Sequence, residues 1–238
     1  MSTVAKSLPS CLSRIFWLDA KMDMHSLQRI VQALDTSPDV LRLTPHRRVL
    51  RIDAEPAVIV KHFSPGALSG VLKGIFRGDP ALREWSALRR AARHELPVPK
   101  AVAVGWRYRF PRRESFLVTE VLDDAVPLGQ YLYAVQRAAA APRRKAIEQA
   151  ARVLRKAHDV GMFHKDLHLD NLMVRNKEAG PQVFLIDLQR VDFRRPLTIK
   201  ERLINLAELH GGCTAATHAE RLRFLKTYLL ASPGLGKD

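Results

Sequence analysis

Residues 160–187 restrict the folds open to this chain more than any other stretch. A segment with helical apolar spacing (Ile147, Ala150, Ala151, Leu154, Ala157) runs into Gly161, a predicted helix stop. Then come His164-Lys165-Asp166-Leu167-His168-Leu169-Asp170-Asn171 and a short apolar strand. A turn over residues 176–181 leads to a second strand, Val183-Phe184-Leu185-Ile186, which ends at Asp187. Asp166, Asn171 and Asp187 are three acceptor side chains gathered on two adjacent strand ends. Such a set suits holding a hydroxyl and a metal–phosphate together.

Phosphoryl transfer from a nucleotide needs a carboxylate for the acceptor hydroxyl's proton, oxygen ligands for Mg²⁺ and a cation near the phosphates. Asp166 fits the first role, and Asn171 with Asp187 fit the second. For the third, residues 40–43 and 49–52 alternate apolar with basic residues as exposed strands do. The turn Asp53-Ala54-Glu55-Pro56 leads to the strongest strand of the first half, Ala57-Val58-Ile59-Val60-Lys61-His62-Phe63. Lys61 lies near its end. Its rival reading is a charge on an edge strand. Asp79-Pro80 opens a helix, Asp as N-cap and Pro at the first helical position. Beside the apolar face of that helix stands Glu84, which can pair with Lys61, with Glu55 and Glu95 as competitors. Neither G-x-G-x-x-G nor G-x-x-x-x-G-K-[ST] occurs, so cradling of phosphates by a glycine loop is unsupported.

At these residues the chain resembles the protein-kinase-like superfamily. His164-Lys165-Asp166 with Asn171 is similar to H-R-D-x-x-x-x-N, Val58-Ile59-Val60-Lys61 to the V-A-I-K strand, and Asp187-Leu188-Gln189 stands where D-F-G is expected. The order also agrees: sheet, Lys, Glu helix, hinge, helices, catalytic loop, metal Asp. The resemblance covers about residues 40–210. It implies an α+β, bilobal fold with an antiparallel N-terminal sheet and a mostly helical C-terminal lobe, and it implies ATP and Mg²⁺. Asp166 becomes the catalytic base, Asn171 and Asp187 the metal ligands, Lys61 the α/β-phosphate contact and Glu84 its partner. The stretch from Glu120 to Leu122 resembles the adenine-binding hinge, where backbone groups do the hydrogen bonding.

The departures point within that superfamily. No A-P-E follows, and only about a dozen residues separate Asp187 from the helix expected near Thr198. Protein kinases place a peptide platform there, so a protein substrate is disfavoured. The chain is most similar to the lipopolysaccharide kinase family, in compact size, in the Ile186-Asp187-Leu188-Gln189-Arg190 ending and in basic character. That likeness implies a kinase for a Kdo or heptose hydroxyl of lipopolysaccharide core. Two alternatives stay open: a small-molecule phosphotransferase of aminoglycoside or choline-kinase type, and a non-catalytic pseudokinase-like module at anionic lipid.

The formal net charge of +15, 39 Lys and Arg against 24 Asp and Glu, favours an anionic partner. The basic residues lie in small groups without interleaved aromatics, so nucleic acid is disfavoured. Lipopolysaccharide core or another anionic glycolipid at the inner-membrane surface fits better. No apolar run approaches the ~20 residues of a spanning helix. The short Ile15-Phe16-Trp17-Leu18 cluster is read as packing on the fold rather than as a signal peptide or membrane contact. Cys11 and Cys213 have no motif spacing. A cytoplasmic protein is expected, with a peripheral inner-membrane location open to it and its oligomeric state unspecified. His164 is expected to be structural, His168 either lines the acceptor site or is a solvated loop residue, and Asp170 is either a loop cap or a functional carboxylate. Expected boundaries are an N-terminal extension over 1–24, an N-lobe over 25–122 and a C-lobe over 123–238. Residues 66–78, with glycine every fourth position, are read as either a short helix or a basic segment.

Overall fold

The computed structural model describes residues 6–7, 13–19, 22–36, 39–64, 78–109, 112–135, 140–194, 196–211 and 216–231. The glycine-spaced segment up to residue 77 and both cysteines lie outside them. The chain divides into two units, residues 1–89 with 99–121 and residues 90–98 with 122–238.

The first unit is an antiparallel sheet with helices. Among the described residues its strands are β1 (Lys6–Ser7), β2 (Ser13–Leu18), β3 (Val40–Thr44), β4 (Arg47–Ile52), β5 (Val58–Phe63), β6 (Ala101–Arg109) and β7 (Arg112–Glu120), in the order β1-β2-β6-β7-β5-β4-β3. Helix α1 (Met24–Thr36) begins under Asp23, whose Oδ1 accepts from the Ser26 N–H at 2.8 Å. Its stripe Leu27, Ile30, Val31 and Leu34 packs with Ile15, Leu50, Val58, Val60, Phe116 and Val118 into one core. Helix α2 (Pro80–Arg93) begins as the Asp-Pro pair predicts: Asp79 Oδ1 accepts from the N–H groups of Ala81 (2.9 Å) and Leu82 (3.2 Å). Strand β5 is bonded on both sides, to β4 and to β7, so Lys61 is not an edge charge.

Residues 13–18, placed in an N-terminal extension, form a strand of the sheet, with Trp17 opposite Val104 and Leu18 opposite Ala103. Trp17 lies 5.7 Å from Trp85 of α2 between ring centroids, and the Arg89 guanidinium sits over both rings. The strand depends on a partner about ninety residues later, which local patterning does not reveal. Arg107, near the end of β6, is buried and paired. Its guanidinium donates to Glu114 Oε2 (2.7 Å) and to both Asp35 oxygens (2.8 and 2.9 Å).

His62 joins the same network. Its Nε2 lies 2.9 Å from Glu114 Oε2, its Nδ1 3.2 Å from Arg48 Nη2, and it is 1% exposed. An arginine can only donate, so Nδ1 accepts and Nε2 carries the proton, a neutral tautomer. Burial lowers the His62 pKa to about 4, with Arg107 and Arg48 adding to the shift and Glu114 opposing it.

In the second unit, β8 (Ala125–Pro127) leads into α3 (Leu128–Ala134). Next comes α4 (Ala140–Asp159), followed by Gly161 at φ 78°. Two small sheets follow: β10 (Leu172–Lys177) between β11 (Gly180–Leu185) and β8, and β9 (Met162–His164) with β12 (Val191–Phe193). Helices α5 (Ile199–Gly211) and α6 (His218–Leu230) complete the unit. A capping box between Thr217 and Glu220 starts α6. Buried Arg143 donates to both Glu220 oxygens (2.7 and 2.9 Å) and to the Leu132 and Val135 carbonyls. That arginine and the Thr217 hydrogen bonds hold the Glu220 pKa at about 2 against burial. His158, buried with Nδ1 2.6 Å from the Tyr228 hydroxyl, is also held at about 4 by burial.

His62 and His158 both have folded pKa values below the ordinary 6.5 of an unfolded histidine. Folding therefore favours their neutral forms. That contribution is complete above about pH 6.5 and is lost as pH falls toward 4. Each histidine is expected to remove on the order of 3 kcal/mol over that window. The thermal midpoint should fall steeply between pH 6.5 and 4, and His62→Gln should flatten part of the fall. A midpoint level across the window would contradict the assignment.

Candidate functional site

Two groups of side chains, one in each unit, carry the residues singled out by sequence. In the first unit, alternation along β5 turns Val58, Val60 and His62 toward buried surroundings and leaves Lys61 partly buried between them. Lys61 Nζ is 2.5 Å from Glu84 Oε1, with side-chain exposures of 13% and 2%. Among buried Ala81, Leu88 and Ala91 of α2, the Glu84 carboxylate is tolerated because an ammonium meets it. Glu55 is exposed, and Glu95 pairs with Lys156 instead, so neither competes for Lys61. Glu120 ends β7, its side chain 3.2 Å from Lys100 and its N–H donated to the Lys100 carbonyl. The Leu122 carbonyl accepts from the Ala125 N–H. Any hinge role of these two rests on backbone groups.

In the second unit, residues 165–171 leave strand β9 and reach β10 through one 3₁₀ turn, Leu169–Asn171. Side chains hold this path in shape. Asn171 Nδ2 donates to the Asp166 carbonyl at 2.7 Å and lies 3.1 Å from His168 Nε2. With the amide nitrogen so engaged, Oδ1 is the atom Asn171 can offer to a cation. The Asn171 carbonyl accepts from the Ile186 N–H at 3.0 Å, and Leu172 pairs with Leu185. This register brings Asp187 to the strand end beside Asn171. Asp187 itself is left-handed, φ 56° and ψ 53°, a conformation that costs a non-glycine residue about 1 kcal/mol or more.

His164 is buried. Its Nδ1 accepts from the Asp166 N–H at 3.2 Å. Burial lowers its pKa, while the Ile186 carbonyl and the charges of Asp187 and Asp166 push it back up. Its backbone is clamped by a residue the sequence reading missed. Asn205 of α5, 0% exposed, accepts from the His164 N–H (3.1 Å) and donates to the His164 carbonyl (2.8 Å). An amide at an inward position among Leu206 and Leu209 was the available signal, since a buried amide needs partners. Two further contacts fix the loop. The Lys165 N–H donates to the Arg190 carbonyl at 3.0 Å, and Lys165 Nζ lies 2.6 Å from Asp192, which also holds Arg194 at 3.0 Å. Arg190 stands 3.6 Å from the half-exposed Asp166 carboxylate.

Among the described residues, no group of three or more His, Cys, Asp or Glu side chains could hold a metal alone. The donor set of one carboxylate and one amide oxygen nevertheless fits Mg²⁺, which takes one or two carboxylates and completes its shell with water and phosphate oxygens.

The model of the lipopolysaccharide kinase (Kdo/WaaP) family matches residues 75–228. The chain belongs to that family. The lipopolysaccharide core heptose(I) kinase WaaP of Escherichia coli K12 is 26% identical over 204 residues, 80% of this chain and 77% of that one. The 3-deoxy-D-manno-octulosonic acid kinase of Haemophilus influenzae PittEE is 26% identical over 137 residues, 55% of this chain and 56% of that one. A solved structure of WaaP in complex with acyl carrier protein superposes with a TM-score of 0.66 at 26% identity, covering 90% of this chain and 88% of that one. The fold is thus the α+β, protein-kinase-like one of the lipopolysaccharide kinases.

Asn205→Ala removes both hydrogen bonds on the His164 backbone and buries that peptide unit unsatisfied. The expected loss is about 2–4 kcal/mol, read as a lower urea midpoint. A midpoint equal to that of the unsubstituted chain would show that the clamp contributes nothing.

Proposed function

We propose that the chain is an ATP- and Mg²⁺-dependent kinase for a Kdo or heptose hydroxyl of lipopolysaccharide core. The observation that carries this reading is the tie between Asn171 and its neighbours. One side chain and one carbonyl bind the Asp166 carbonyl and the Ile186 N–H, so a candidate base and two candidate metal ligands share one rigid frame. Membership of the family supplies the acceptor class.

Bound Mg²⁺–ATP supplies the transferable γ-phosphoryl group and neutralises part of its charge. Asn171 Oδ1 and the Asp187 carboxylate would hold the metal. Lys61, kept in place by Glu84, pairs with the α- and β-phosphates. Backbone groups from Glu120 to Leu122 receive the adenine. Asp166 takes the proton of the acceptor hydroxyl as that oxygen bonds to phosphorus and ADP departs. Arg190, fixed through its carbonyl to Lys165 and 3.6 Å from Asp166, is the cation an acceptor would meet beside the base. An octulosonic acid carries a carboxylate suited to it.

The excess of positive charge supports work on an anionic glycolipid at a membrane surface. Among the described residues no helix is long and apolar enough to cross a membrane. An acyl carrier protein, the partner in the solved WaaP complex, is a candidate partner for this chain too.

Asp166→Ala is expected to lower transfer of labelled γ-phosphate to Kdo- or heptose-bearing lipid A by about 10²–10⁴-fold, with nucleotide binding retained. Turnover equal to that of the unsubstituted chain would sink the assignment of the base. Absence of transfer to either acceptor by the unsubstituted chain would sink the function itself. Arg190→Ala is expected to raise KM for the acceptor about tenfold, a loss of ~1.4 kcal/mol. Neutralising the acceptor carboxylate should have little further effect in that variant. Full additivity of the two changes would remove Arg190 from the acceptor site.

A further inference from the structure

Helix α6 is apolar on both sides. Its inner face carries Phe224 and Tyr228, the latter 4% exposed and held against His158 of α4. Its outer face carries Leu222, Leu225 and Leu229, spaced three and four residues apart and 67%, 43% and 62% exposed. Three exposed leucines on one helix face gain nothing from contact with water and call for an apolar partner outside.

The charge beside the stripe indicates which partner. Arg223 of α6 reaches Glu148 of α4 at 3.4 Å, and the same carboxylate is approached by Arg152 at 3.6 Å and Arg144 at 4.0 Å. Three guanidiniums about half exposed therefore share one carboxylate. The flank of the stripe keeps surplus positive charge, to which exposed Lys226 adds. A leucine stripe bordered by basic side chains is the pattern of a helix lying in a lipid headgroup layer, leucines at the acyl boundary and cations at the phosphates.

We infer that the outer face of α6 is a docking surface for anionic phospholipid bilayers. The inference deepens the proposed function, on which it rests for its purpose: it would bring a kinase to an acceptor anchored in that layer. The arginines also act at a distance, since juxtamembrane cations are attracted within about one Debye length of an anionic surface.

The test is flotation of the full chain with vesicles containing phosphatidylglycerol, against vesicles of phosphatidylcholine alone. The expected result is binding to the anionic vesicles that weakens with added salt. It should fall at least ~10-fold in Leu222→Ser/Leu225→Ser/Leu229→Ser, with an unchanged thermal midpoint and unchanged turnover on a delipidated acceptor. Arg144→Glu/Arg152→Glu should weaken binding by a similar factor, and this second variant leaves the stripe intact. No binding by the unsubstituted chain, or equal binding by the triple-serine variant, would overturn the inference. A dimer in solution that the triple-serine change converts to a monomer would also overturn it, by assigning the face to a second copy. The vesicle assay holds neither nucleotide nor sugar, so its failure leaves the phosphotransferase reading standing.

Discussion

The loop that carries Asp166 and Asn171 depends on a side chain standing in for a strand. Residues 165–171 have no sheet partner of their own, yet they carry Asp166 and Asn171. The Asn205 amide bonds the His164 backbone as a neighbouring strand would, once as acceptor and once as donor. Asn171 repeats the device at the other end of the loop by donating to the Asp166 carbonyl. Between these two amides the loop is fixed at both ends without regular structure. An amide does this well because it offers both polarities and no charge, so burial costs little once both are met. Helix α5 then has a definite purpose: it brings Asn205 to the start of the loop.

The same economy governs the charged residues. The chain has a large positive excess, but among the described residues the main buried ionic groups are matched. Lys61 meets Glu84, Arg143 meets Glu220, and His62, Glu114, Arg107 and Asp35 form one connected set. Removing one member of such a set costs more than the pair contributes, since the survivor is left buried and alone. The Lys61–Glu84 pair gains from this logic. Glu84 has a structural need for the ammonium, so the lysine is held whether or not phosphate is present. The unmatched cations are on the surface, where they can act on partners.

What could be read from sequence was what local spacing encodes. His164 to Asn171 and the strand ending at Asp187 are recognisable because side-chain type and interval carry the chemistry. The Asp79-Pro80 helix start is recognisable because capping is local. Strand β2, the buried Arg107 and the Asn205 clamp were not legible in the same way, because each exists through a partner far along the chain. Trp17 reads as strand only once Val104 is opposite it, and Arg107 reads as core only once Asp35 and Glu114 are beside it. Lys61 lay between the two cases. The sequence offered it as a phosphate contact or an edge charge, and the pairing of β5 on both sides removed the second option.

The short run after Asp187 bears on what the acceptor can be. Residues 188–193 form a 3₁₀ turn and then β12, which pairs back onto β9 at the entrance to residues 165–171. Lys165 and Asp192 close that pairing with an ion pair, and Arg194 continues it to Glu201 of α5. A segment pinned this way, through backbone and side chains, is too short and too engaged to present a groove for an extended peptide. It does present the Arg190 guanidinium 3.6 Å from the Asp166 carboxylate. With Asp166 as the proposed base, a cation there favours a hydroxyl that has an anion as its neighbour, which is a property of acidic sugars and not of serine or threonine in a general peptide.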